Sequence, residues 1–203
     1  ILDSAYTRDN AGRILAINGF NARDDWTYAY DDLDRLVSAT NLGDPALSET
    51  FTYAVNDNML SRSRNPGGAF ASGGTAPFAY TYPAGTAARP HAPVSVAGRA
   101  FTYDANGNTL SDGIRTYTWS NDNRLASVVR GGQTVSFLYG PDGARSKKTS
   151  SLGTTRYFGA EAEEKAGVYT RYPHMDVMIE GSTISFLHRD HQASVKLVTT
   201  MTR

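Results

Sequence analysis

The chain has 203 residues and carries 20 Lys plus Arg against 20 Asp plus Glu. Balanced charge leaves no long-range field to gather nucleic acid or an anionic membrane, and no apolar run approaches the roughly 20 residues that a bilayer-spanning helix needs. Cysteine is absent, which removes disulfides and thiolate chemistry.

Twelve tyrosines and 19 glycines, mixed with Thr, Val, Asn and Asp, favour short strands and tight turns. One phrase recurs along the chain: an aromatic, any residue, a second aromatic, a small polar residue, a two-residue gap, then Gly, Asn or Asp. Its units lie near residues 6–17, 28–39 and 51–62, and again near 101–112, 117–129 and 137–148. The first unit departs from the phrase, with Arg8 in the second aromatic place. A degenerate copy, Tyr80-Thr81-Tyr82, has Pro83 in the acid's place. Residues two apart in a strand share a face, so Phe101 with Tyr103, or Tyr117 with Trp119, make one aromatic stripe. The Asp or Ser that follows can bond nearby backbone N–H groups and start a turn. Gly12, Asp34, Asp57, Gly107, Asn123 and Gly143 are then expected at positive φ, closing a type I turn with a bulge. Each unit reads as a β-hairpin. A lone hairpin is marginal in water, so the units are expected to stack into a long, coiling antiparallel sheet.

Between units, residues 64–77 form a Gly/Ala/Pro stretch that reads as a surface loop. The repeat resumes beyond it in the same style, so 1–203 is read as one repeat segment. Ala160 to Ala166 is the one helix-like stretch, too short to stand alone.

Few residues suggest chemistry. His188-Arg189-Asp190-His191 could contribute metal ligands, but on a strand His188 and Asp190 share one face while His191 points to the other. Glu161, Glu163 and Glu164 have no partner of clear role for acid–base work and read as a charged loop. Arg145, Lys147 and Lys148 read as a solvated strand face. The Gly-Gly pairs at 67, 73 and 131 lack the Lys-Ser/Thr of a phosphate loop. No catalytic, cofactor or metal residue is assigned.

The motifs "YDANGN", "YAYDDLDRLVSA" and "WSNDNRLASV" resemble the YD repeats of the bacterial Rhs family. The same repeats build the C component of insecticidal toxin complexes and the shell of the animal teneurins. "RPHAPVSVAGRAFTYDANGN" resembles the segment that introduces the final repeats of Rhs cores. "ISFLHRDHQASVKLVTT", residues 184–200, is similar to the family's closing phrase, with Gln192 and Ala193 where Leu-Gly is usual. The resemblance covers almost the whole chain and implies an all-β fold of stacked hairpins, part of a hollow β-shell that encloses a toxic polypeptide. It implies a secreted or surface-delivered bacterial parent, of which this chain is expected to be a piece. The partners are then the rest of that parent and its cargo, with self-association through free sheet edges. Two alternatives stand beside this one. Outward-facing aromatics could stack on glycans, or His188, Asp190 and His191 could serve a metal-dependent hydrolase.

Overall fold

The computed structural model describes residues 4–63, 78–190 and 192–202. The 64–77 stretch and His191 lie outside the described residues. The chain is all β, with two short 3-10 turns, Ala22–Asp24 and Pro45–Leu47, and no α-helix among the described residues. It divides into two compact units, Asp3–Thr102 and Tyr103–Arg203. One sheet has nine strands, from Ala5–Arg8 to Arg99–Ala100, and the other has twelve, from Thr102–Tyr103 to Val195–Thr202. In both, every strand pairs antiparallel with its neighbours in sequence, a plain meander.

The strands form where aromatic and β-branched residues alternate with small polar ones. Trp26–Tyr30 and Arg115–Trp119 both run half-buried, exposed, half-buried, exposed, half-buried. The aromatics therefore share one face, and the Trp26 and Tyr28 rings stack at 6.3 Å. Few apolar side chains are buried: among the described residues only Ala39, Phe78 and Val96 are. Buried polar residues outnumber them and include Asn41, Glu49, Asn58 and Asp112. Polar burial is stabilising only when every group is paired, and no buried side-chain N or O among the described residues lacks a partner.

Two readings of the sequence need correction. Residues 160–166 are not helical: Ala162–Lys165 is a strand paired on both sides, and it ends in a tight turn with Ala166 at φ 52° and Gly167 at φ 82°. The surrounding ladders override the local preference of Ala and Glu for helix. Glu163 and Glu164 accordingly lie on this strand instead of in a loop, opposite Tyr157 and Arg156. The basic cluster is also dispersed. Lys147 and Lys148 take opposite faces of Arg145–Ser150, and the Arg145 guanidinium lies between the Phe137 and Tyr157 rings.

Candidate functional site

The recurring phrase builds one turn. In residues 9–13 the Asp9 N–H donates to Arg13 O and the Gly12 N–H donates back to Asp9 O, both at 3.0 Å. The Asp9 carboxylate accepts from the Ala11 and Arg13 amides at 3.0 and 2.9 Å. The strand register slips by one residue beside it, between Thr7 and Arg8. The same pair of backbone bonds closes residues 31–35, 54–58, 104–108, 120–124 and 140–144. The φ values at Gly12, Asp34, Asp57, Gly107, Asn123 and Gly143 are 85°, 63°, 66°, 91°, 55° and 78°. A Cβ costs energy there, and Gly, Asn and Asp tolerate that region best.

Three of the acids that open turns, Asp9, Asp31 and Asp104, are held below the usual carboxylate range. For Asp9 the Arg13 guanidinium is the main cause, for Asp31 the Arg35 amide, and for Asp104 the Asn108 side chain.

The turns are also joined to one another, by groups reaching in both directions. The residue after the left-handed position reaches forward. Arg13 bonds the Asp34 carboxylate, Arg35 bonds Asp57 at 2.7 Å and Ala54 O at 3.0 Å, and Asn108 bonds Asn123 at 2.8 Å. Arg124 bonds Gly143 O. The second aromatic of the next unit reaches back to the carbonyl that follows that residue. Tyr30 donates to Ile14 O at 2.9 Å, Tyr53 to Leu36 O at 2.8 Å, Trp119 to Thr109 O at 2.8 Å and Tyr139 to Leu125 O at 2.9 Å. Each arginine also lies over the ring that reaches back past it: Arg13 over Tyr30, Arg35 over Tyr53 and Arg124 over Tyr139, at 5.0, 4.9 and 5.5 Å. At Gly143 a Cβ would fall 1.9 Å from an Arg124 nitrogen, so this glycine serves both the turn and the joint.

The joint changes where the repeat degenerates. Asn58 has no aromatic unit directly following, and its amide bonds Pro90 O at 2.9 Å and His91 Nδ1 at 2.7 Å, pinning the proline-rich segment in the joint's place.

Sequence reasoning missed a seventh turn. Asp190 and Ser194 exchange the same backbone bond, Ala193 donates to Asp190 O, and the Asp190 carboxylate accepts from the Gln192 and Ser194 amides. Ala193 occupies the left-handed position at φ 61°. The signal was present as Arg189-Asp190 with Ala193-Ser194, which matches Arg8-Asp9 with Gly12-Arg13, but Ala hides a left-handed site. Asp190 of the His188-Arg189-Asp190-His191 cluster therefore opens a hairpin turn, and His191 lies outside the described residues. The His188 Nε2 lies 2.9 Å from Thr199 Oγ1, and among the described residues no three His, Asp or Glu are grouped to hold an ion.

Sequence reasoning also missed Asp112, the most enclosed carboxylate among the described residues. Its side chain accepts from the Ile114 and Arg115 amides, the Arg115 guanidinium and the Tyr117 hydroxyl, at 2.7 to 3.0 Å. Burial alone would raise its pKa, but these donors outweigh it and hold the group at about 2. Burial and the same contact push Tyr117 up to about 12.

No family model matches the chain. A 66-residue stretch, 31% of the chain, is 38% identical to the tRNA3(Ser)-specific nuclease WapA of Bacillus spizizenii and to the tRNA nuclease WapA of Bacillus subtilis. It spans 3% of those proteins. Among solved structures, the Photorhabdus luminescens Tc holotoxin pore, with a TccC3 variant, matches 98% of the chain at TM-score 0.64 and 15% identity. The TcdB2–TccC3–Cdc42 and TcdB2–TccC3–TEV structures match 98% of it at TM-score 0.65, at 15% and 16% identity. The chain spans 12% to 13% of these structures' chains. The fold is an antiparallel meander of joined hairpins. It is an Rhs/YD-repeat-like fold, of the kind found in these toxin-complex components.

Proposed function

We propose that the chain is a structural segment of an Rhs/YD-repeat shell that encloses a toxic polypeptide within a larger, secreted bacterial parent, and that it performs no catalysis itself. The observation that carries this reading is the two-way joint. The residues that recur in the sequence are spent on tying one hairpin to the next, which is what a continuous wall requires. Likeness to toxin-complex components supports the same reading at the level of fold. The test is limited proteolysis of the intact parent polypeptide. A cargo segment that resists protease in the native parent and is digested once the sheets are unfolded fits enclosure. Cleavage at the same rate in both states overturns it.

One feature favours a second reading, glycan binding. Phe158 and Tyr169 are both exposed, and their rings stack at 6.2 Å across the strand that carries Ala162. A glycan-array signal abolished by Tyr169→Ala would establish that reading.

A further inference from the structure

The first and last of the seven turns share a feature that the other five lack. Both have arginine, not an aromatic, immediately before the acid: Arg8 before Asp9 and Arg189 before Asp190. In both, Nη1 folds onto the left-handed residue of its own turn, Arg8 to Gly12 O at 2.7 Å and Arg189 to Ala193 O at 2.6 Å. The register slips at the same place, with Arg8 opposite Ile14 and Arg189 opposite Val195. The two arginines are held alike by their own turns.

Arg189 then does what an aromatic does elsewhere and reaches back to the preceding turn. Its Nε donates to the Asp176 carboxylate at 2.9 Å and its Nη2 to Met175 O at 2.7 Å. The Leu187 amide adds a bond to Asp176 O at 2.8 Å. Arg8 is exposed, its guanidinium lies 6.0 Å from the centre of the Tyr6 ring, and among the described residues its Nε and Nη2 make no hydrogen bond. Among the described residues its strand, Ala5–Arg8, has a partner on one side only.

We propose that the outer edge of Ala5–Arg8 is a docking site for an acidic hairpin turn. The partner presents a backbone carbonyl and, one residue later, a carboxylate, which the free Nε–Nη2 side of Arg8 takes together. A planar guanidinium already fixed at one nitrogen suits such two-point recognition, which lysine cannot reproduce. The inference deepens the shell reading by naming what meets this edge, but it rests on the Arg8–Arg189 correspondence alone.

The test titrates the protein with a cyclised peptide of residues 168–180, which carries the Met175-Asp176 turn. Affinity is compared with a peptide carrying Asp176→Asn, and each peptide is also tested on the Arg8→Lys and Arg8→Ala proteins. The expected result is binding that weakens about tenfold or more with either change, and no further when both are made. Slower amide exchange at residues 5–8 should accompany binding. Because Asp176→Asn alters only the peptide, a folding defect in the Arg8 variants cannot mimic the result. No binding, binding indifferent to Arg8 and Asp176, or binding at the Val195–Thr202 edge each overturns the site. None of these outcomes bears on whether the parent protects a cargo.

Discussion

The two sheets share one turn and differ in what connects each hairpin to the next. In the nine-stranded sheet the first connectors are loops shaped by 3-10 turns and internal side chains. Asn41, almost fully buried, bonds Arg23 O and the Gly43 and Asp44 amides, and Asp25 bonds the Gly19 amide. The ladders between those hairpins hold two residue pairs each, Ala16↔Thr27 with Ile17↔Trp26, and Ser38↔Thr50 with Ala39↔Glu49. In the twelve-stranded sheet several connectors are two-residue turns such as Gly131-Gly132 and Ala166-Gly167. There the ladders run to the turn, with four pairs from Ser127↔Ser136 to Arg130↔Gln133. Where the ladder is short, the joint carries more of the contact between hairpins. Where the ladder is long, the joint is an addition.

The largest effect is expected at Asp112, whose connector resembles those of the first sheet although it lies in the second. Asp112→Ala strands several donors around a buried site and should cost about 3 kcal/mol in urea unfolding. A loss below about 1 kcal/mol would mean that the connector holds itself without the carboxylate. The folded pKa is lowered to about 2. The stabilisation is therefore complete above the unfolded value near 4, and it fades as pH falls through the folded value. Asp112→Ala should flatten that acid limb of the stability curve.

Next is the turn that both sheets share. Gly107→Val places a branched side chain at φ 91° and should cost roughly 1–2 kcal/mol or more. Ala193→Gly, which removes only a Cβ from a left-handed position at φ 61°, should be close to neutral. Equal costs for the two would break the left-handed account of the turn.

A smaller effect discriminates between the sheets. Tyr30→Phe and Tyr139→Phe each remove one hydroxyl-to-carbonyl bond, worth about 1 kcal/mol. The Tyr30 change, over the two-pair ladder, should also speed amide exchange in Ile14–Asn18, while the Tyr139 change leaves Leu125–Arg130 protected. Identical exchange behaviour would erase the difference between the short and the long ladders. The smallest effect is at the exposed Asp57 carboxylate, where Asp57→Asn removes only the charge facing Arg35 and should matter only at low salt.

The parts of this fold that were legible in the sequence are those that demand particular residue types. A left-handed turn position narrows the choice to Gly, Asn or Asp, so six turns could be located from spacing alone. Ala193 and Ala166 satisfy the same geometry without that signature, and the hairpins from Gly153 to Glu180 carry no repeated phrase, so both were missed. The joint was half legible. Its aromatic stripe was expected, but the hydroxyl bonds to Ile14, Leu36 and Leu125 carbonyls connect residues with no pattern of their own. Ala160 to Ala166 misled because strand pairing on both sides, invisible locally, decided its conformation.

The joint has a consequence for how such chains can change length. Each fully equipped unit carries a donor aimed at its successor and an aromatic aimed at its predecessor, so the array has a head and a tail. Duplicating or removing one whole unit leaves every surviving donor facing a matching acceptor. A cut through the middle of a unit separates the aromatic from the arginine that lies over it and spoils the joints on both sides. Whole-unit gain and loss is therefore the inexpensive route by which these sheets grow or shrink.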